Sequence, residues 1–258
     1  MRLRAATDGA YFKMWNLHVE RGPKTPWVPC SEDNLYSAIG LDNGIIYDVS
    51  GYSNNIIEVE NISYTPDTPK YNMSAQFAND THGKFTHPFA NGALLDEATF
   101  SCWVKREADV SGGIYGYICS GLVQIYLYGN TFRINWYRRN EDGSYDEANT
   151  WNTAYEAPLN EWVFITFVQK NSKLYFYANG ILSGNKSTTR DKYIRANRGT
   201  RFGSSTSTNT NGLAGKISDF RIYSTALSND DIMELYNSPI SVANTGSLLT
   251  SGEFSEEL

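Results

Sequence analysis

The segment LVQIYLYGNTFRINWYRR, residues 122–139, most constrains what this chain can fold into. Apolar and polar side chains alternate on both sides of Gly129-Asn130, a pair that accepts the positive φ of a two-residue hairpin turn at little steric cost. Ile125 and Leu127 fall on one face with Phe132, Ile134 and Trp136. Gln124, Tyr126, Tyr128, Arg133, Asn135 and Tyr137 fall on the other. A period of two with one apolar face and one polar, aromatic face predicts an antiparallel hairpin laid on a core.

Further strand candidates follow the same grammar: NIIEVEN, MSAQFA, ATFSCWVKR, IYGYICS, EWVFITFVQ, KLYFYANG and AGKISDFRIYS, separated by Gly, Asn, Asp and Ser turns. Many short strands at such spacing predict a sandwich or barrel. WVFITFV, residues 162–168, is apolar on both faces and reads as a central covered strand; Asn179-Gly180 marks a second hairpin. GSSTSTNTNG, residues 203–212, reads as a polar loop. Apolar residues make up 41% of the 258, enough for one large β domain. The stretch RGPKTPWVPC holds three prolines and reads as an extended connector within an N-terminal arm, residues 1–40, that has room for one or two short strands. The main domain is placed at 41–237 and a C-terminal tail at 238–258.

Composition excludes several classes. The formal net charge of −6 and the lack of a basic stripe argue against nucleic acid. No run approaches the roughly 20 apolar residues of a membrane-spanning helix, and the start contains no apolar stretch of signal-peptide length. The expectation is synthesis in a cytoplasm. Cys30, Cys102 and Cys119 are odd in number and without metal-site spacing, and Cys102 and Cys119 read as small buried hydrophobes.

Near the end, GKISDFRIYSTALSNDDIMELYN passes from strand to helix. Ile217, Phe220 and Ile222 change parity once near Ser218-Asp219, which predicts a bulge. Ser228 suits an N-cap, with Asp230 and Asp231 in the first turn. Ile232, Leu235 and Tyr236 form an apolar stripe, and Pro239 stops the helix. So short a helix needs docking to persist, and an open end or sheet edge is the expected berth.

These residues resemble the closing motif of laminin G-like domains of the concanavalin A-like superfamily, roughly G-x-I-D-D-x-R-I-Y followed by A-L-S-x-x-E-I-x-x-L-Y. Further pieces occur in order: YDVSGYSNN, KYNMSAQFAND, ATFSCWVKR with Trp103, and NEWVFITFVQKNSKLYFYANGILSG. The resemblance implies an all-β, antiparallel β-sandwich jelly roll with one short C-terminal helix. The flanks TPWVPCSEDNLY and SPISVANTGSLLTSGEFSEEL resemble those of laminin G-like bacteriophage virion proteins of tail, appendage or fibre. That implies a virion location, other virion proteins as partners and homo-oligomers.

Three chemistries are open on these residues. A retaining glycosidase needs paired carboxylates. Glu58 and Glu60 share a face, but Asn61 is no acid, and Glu141, Asp142, Asp146 and Glu147 read as a turn-rich loop. His18, His82 and His87 fit no helical metal site and read as surface histidines. Calcium takes oxygen ligands; the resemblance implies a site near Asp48, Ser50 and Asn55 with Asp219 as the second carboxylate, although Ser218 and Ala78 replace acids of the family pattern. An Asx turn at Asp48 is the alternative. A sugar surface would use Tyr126, Arg133, Asn135 and Tyr137, with Tyr145, Trp151 and Tyr155 in the adjoining loop; the alternative is packing against that loop or a neighbouring subunit. The leading expectation is a non-enzymatic virion protein attaching to bacterial surface polysaccharide. A purely structural virion protein and a glycan hydrolase are the alternatives.

Overall fold

The computed structural model describes residues 35–39, 58–60, 62–69, 73–78, 84–87, 94–95, 97–109, 115–120, 123–139, 145–187, 193–194, 200–203, 212–223 and 225–237. The strands are β1 (Leu35–Ile39), β2 (Glu58–Glu60), β3 (Ser63–Thr65), β4 (Ser74–Phe77), β5 (Lys84–His87), β6 (Leu94–Leu95), β7 (Ala98–Arg106), β8 (Tyr115–Ser120) and β9 (Val123–Tyr128). They continue as β10 (Thr131–Arg139), β11 (Tyr145–Glu156), β12 (Trp162–Lys170), β13 (Lys173–Ala178), β14 (Ile181–Ser187), β15 (Tyr193–Ile194), β16 (Thr200–Phe202) and β17 (Gly215–Tyr223), before helix α1 (Asn229–Asn237).

The strands pair antiparallel in two large sheets. The first runs β14-β13-β12-β7-β17-β4-β3, with β1 also on β17; the second runs β11-β10-β9-β8-β16-β5-β2. Inward side chains of both sheets share one core, which includes Phe77, Val104, Ile125, Phe132, Ile165, Phe167 and Phe176. Its aromatic centre is continuous: Phe167 lies 4.8 Å from Phe176, which lies 5.6 Å from Phe132 across the sheets. This is the antiparallel sandwich expected of the alternating pattern. β12 is buried from Val163 to Val168 between β7 and β13, as its two apolar faces require.

Local chemistry sets the corners. Gly129 and Asn130 have φ of 56° and 67°, and Asn179 and Gly180 have 52° and 79°, so both predicted hairpin turns form. Asn171-Ser172, at 49° and 57°, makes a third between β12 and β13 that the sequence reading passed over. The parity shift in β17 is a bulge: pairing with β7 slips between Ser218 and Arg221, and Asp219 has φ 51°. The bulge lets one side of β17 take two partners, β4 against Gly215–Ile217 and β1 against Phe220–Tyr223.

Arg106 ties the sheets at one end. Its Nε and Nη2 donate to the Ala157 carbonyl at 3.0 and 2.8 Å, and Nη1 donates to Asn130 Oδ1 at 3.0 Å, Asp109 and the Ala108 carbonyl. The buried guanidinium of a first-sheet strand thereby holds the hairpin turn and the end of β11 in the second.

Helix α1 forms for the reasons read from its sequence. Ser228 Oγ accepts from the Asp231 amide at 3.2 Å, and Asp231 Oδ2 accepts from the Ser228 amide at 2.9 Å, a reciprocal cap. Its berth differs from the expected sheet edge. Ile232 and Leu235 pack on Trp103, Phe164, Val168, Tyr177 and Tyr223, which all point away from the core. The helix therefore lies across the outer face of the first sheet. Tyr177 donates to Asn229 Oδ1 at 2.7 Å, and Thr99 Oγ1 accepts from the Leu227 amide at 3.0 Å, which fixes the approach.

The supposed turn-rich loop before Trp151 is a strand. β11 carries Asp146 and Glu147 as well as the tryptophan and, among the described residues, ends its sheet, paired with β10. Its signal was present but faint. Trp151, Thr153, Tyr155 and Ala157 are turned inward while Asn152, Ala154 and Glu156 are exposed, but most of that row is too polar to stand out.

Candidate functional site

The outer face of β9–β10–β11 carries the residues predicted to meet a ligand. In register, Arg133 lies between Tyr126 on β9 and Asn152 on β11, and Asn135 lies between Gln124 and Thr150. The Arg133 guanidinium carbon sits 3.8 Å from the Tyr128 ring centroid and 5.9 Å from that of Tyr126. Its Nε–H is donated to Asn152 Oδ1. A cation over an aromatic face is attracted by the ring quadrupole, so the ring and the amide fix the guanidinium plane from two sides. Asn135 Nδ2 donates to Tyr126 Oη at 2.9 Å and Gln124 Oε1 at 3.2 Å, while its Oδ1 is buried without a partner among the described residues.

The structure revises two of the predicted residues. Tyr126 lies on the outer side, as its parity requires, but is only 2% exposed. It is the support beneath Arg133 and Asn135 rather than a free stacking ring. Trp151 stands opposite Ile134, a core residue, and packs against the core from β11. A Cβ on Gly184 would lie 3.4 Å from its Cζ2, so the indole fills the space between the open edges of the sheets. Trp151 therefore does not belong to the outer face. Tyr155 is likewise turned inward, against Phe132 and Phe176. Arg133 and Asn135 stay on the face. Of Tyr137 only its place on β10 opposite Ala148 is described, and its side chain lies outside the described residues. The residues missed were Tyr128, noted for its parity but left out of the set, and Asn152. The register of the hairpin was enough to find the first; the second required β11 to be recognised as a strand.

Of the expected calcium ligands, Asp48, Ser50 and Asn55 lie outside the described residues. Asp219 is already engaged: Arg221 Nε and Nη2 donate to its two oxygens at 2.8 Å each. Arg221 is fully buried. Burial alone would favour its neutral form, but Asp219 and Tyr223 outweigh that and raise its pKa further above the ordinary arginine value. Among the described residues no three His, Cys, Asp or Glu side chains gather as a metal set. Glu58 and Glu60 occupy β2, an edge strand of the second sheet, and His87 ends β5. His18, His82, Glu141 and Asp142 lie outside the described residues. Cys102 is buried, as read from its apolar surroundings.

A charge network lies on the outer face of the first sheet, beyond α1. Asp67 accepts from Lys105 at 2.7 Å, Lys216 at 2.5 Å and the Trp162 indole at 3.1 Å. Lys216 also bonds Glu107, which accepts from Gln76 at 2.7 Å. Every member has a partner inside the network, so it holds the 66–69 segment down rather than offering a site. Hydrogen bonds from Lys105 and Lys216 keep the Asp67 carboxyl well below the usual carboxylate range. A depressed acid stabilises the fold above its unfolded pKa, about 3.9, and loses that contribution as pH falls toward the folded value. Because Asp67 is partly exposed, Asp67→Asn should cost up to about 1 kcal/mol at neutral pH. Urea midpoints of the two proteins should converge below pH 4, on the order of the unfolded carboxylate pKa; an undiminished gap at low pH would contradict this account.

The geometry can be set beside known proteins. A family model described as the Concanavalin A-like lectin/glucanases superfamily matches residues 77–233. No curated protein matches the chain in sequence. The crystal structure of the binding domain of Paraclostridial Mosquitocidal Protein 1 is similar with a TM-score of 0.65 at 18% identity, over 80% of this chain and 52% of that one. The botulinum neurotoxin serotype D ligand binding domain, in complex with N-acetylneuraminic acid, is similar at 0.61 and 17%, over 80% and 51%. The binding domain of botulinum neurotoxin DC, in complex with SialylT, is similar at 0.61 and 22%, over the same shares. The chain spans about half the length of these structures, and at such identities the likeness is one of fold. With two antiparallel sheets around one core and a family match across most of its length, the chain belongs to the concanavalin A-like lectin/glucanase superfamily.

Proposed function

We propose that this chain is a non-enzymatic glycan-binding domain, carried on a bacteriophage virion in a tail, appendage or fibre, that attaches to bacterial surface polysaccharide. The observation that carries the binding role is the outer face of β9–β11, where Arg133 is laid on Tyr128 and steadied by Asn152. Fixed aromatic and amide groups of this kind suit sugars, which offer apolar C–H faces and rows of hydroxyls. The fold alone does not assign a function. The flanks TPWVPCSEDNLY and SPISVANTGSLLTSGEFSEEL support the virion setting and the expectation of homo-oligomers and virion-protein partners. A structural calcium on Asp48, Ser50 and Asn55 is part of the proposal; Asp219, expected as its second carboxylate, accepts from Arg221 through both oxygens instead.

Titration calorimetry of the full chain against host cell-wall polysaccharide tests the binding role. Saturable binding is expected, with no release of reducing sugar. Tyr128→Ala should weaken it about tenfold, the effect of removing roughly 1–2 kcal/mol of stacking and cation–π support. The burial of Tyr126 and the inward turn of Trp151 favour a second reading, a structural virion protein that contacts only other proteins. Absence of binding across host polysaccharides would decide for that one.

A further inference from the structure

We infer that the saccharide held by the outer face of β9–β11 is anionic, and that Arg133 reads its charged group; this rests on the glycan-binding role proposed above. The other two arginines with described side chains show what a structural arginine does in this fold. Arg106 distributes its donors over Ala157, Asn130, Asp109 and Ala108, and Arg221 is bidentate to Asp219. Arg133 behaves differently. Its Nε–H is donated to Asn152 and its plane rests on Tyr128, yet Nη1 and Nη2 donate to no described residue and it forms no ion pair with one. The result is a planar fork, oriented by two neighbours, with terminal donors that no described residue takes up.

The guanidinium fork matches the two oxygens of a carboxylate or phosphate, forming parallel charge-assisted bonds. A neutral sugar hydroxyl takes one such donor and gains nothing from the pair. The stacking on Tyr128 and the bond to Asn152 have already restricted the rotamers, so less entropy is lost when an anion docks. Of the described side chains on this face, Gln124, Tyr126, Tyr128, Asn135 and Asn152 are neutral, and Glu156, exposed on the same face of β11 opposite Thr131, forms no ion pair with a described residue. Lys186 Nζ donates at 2.8 Å to the carbonyl of Thr150, which sets a second cation against β11, two residues along the strand from Asn152. The net charge of −6 opposes anions at long range. At physiological salt, however, charges beyond about 8 Å are largely screened, and the local cations dominate. The chemistry is shared by two sources, the carboxylate of an acidic sugar and the phosphate of a polyol-phosphate glycan.

The test uses the full chain and three soluble probes: a galacturonate oligomer, a glycerol-phosphate oligomer and dextran. At least one charged probe should bind about tenfold or more tightly than dextran, and its affinity should fall as salt is raised. Which charged probe binds identifies the source. Arg133→Gln should lose about tenfold or more of that affinity, and Arg133→Lys should recover only part, because an ammonium keeps the charge without the fork. Asn152→Ala, which frees the fork without removing it, should give an intermediate loss; this variant keeps the test valid should Arg133→Gln fail to fold. Failure of both charged probes overturns the inference, as does charged-probe binding that is indifferent to salt and to Arg133→Gln. A neutral-glycan array then separates the two levels: binding there preserves the glycan role and removes only the anion, whereas a blank array removes both.

Discussion

Asp219→Ala should destabilise the fold by about 3–5 kcal/mol, the usual cost of leaving a buried charge without its partner. Asp219 accepts from Arg221, whose side chain is only 4% exposed, and both its oxygens are used at 2.8 Å. Asp219 also sits at φ 51°, in the left-handed region that Asp tolerates better than Ala, so the substitution adds backbone strain at the bulge. Asp219→Asn keeps the backbone tolerance and one acceptor, and should cost less. Replacing the pair together, Asp219→Asn with Arg221→Met, should recover much of the loss, because no bare guanidinium remains in the core. Urea unfolding of the four proteins reads this directly. A loss below about 1 kcal/mol for Asp219→Ala would mean that the pair is solvated and that the burial argument is wrong.

Trp103→Ala should cost a similar amount, about 3–5 kcal/mol, but the damage should be uneven. Trp103 is 5% exposed on the outer face of β7, with Phe164 5.3 Å and Tyr236 5.5 Å from its ring. It is the surface on which α1 rests. A nine-residue helix is marginal in water on its own, so removing the indole should release the helix before the sandwich opens. In hydrogen exchange, amides of α1 should lose protection ahead of those of β12. Equal loss across both would show that helix and sandwich unfold as one unit and that the docking account is wrong.

The hairpins, the bulge and the cap were legible from local chemistry. Gly129-Asn130 and Asn179-Gly180 announce turns because few other residues accept positive φ there. The β17 bulge was visible as a parity slip at Ser218-Asp219, and the α1 cap as Ser228 followed three residues later by Asp231. Each feature is decided within a few residues, where sequence order and spatial order coincide.

The candidate site was only half legible. A period of two says which side of a strand a residue occupies, and it placed Tyr126, Arg133 and Asn135 correctly on the outer side. It does not say what covers that side: Tyr126 is closed over and Tyr128 supports the guanidinium. Trp151 was misplaced because β11, a polar edge strand, drew its alternation from contacts with Ile134 and Gly184 that are distant in sequence.

By itself, then, the sequence determined the alternating strands, their tight corners, the bulge and the capped helix, since these follow from backbone sterics and hydrogen bonds between near neighbours. Only the tertiary structure decided that α1 lies across the outer face of a sheet, that Asp219 is consumed by Arg221, and that Arg133 keeps two terminal donors with no described partner. Those outcomes depend on which distant side chain arrives first at a given polar or apolar surface, and burial and pairing are settled by that meeting.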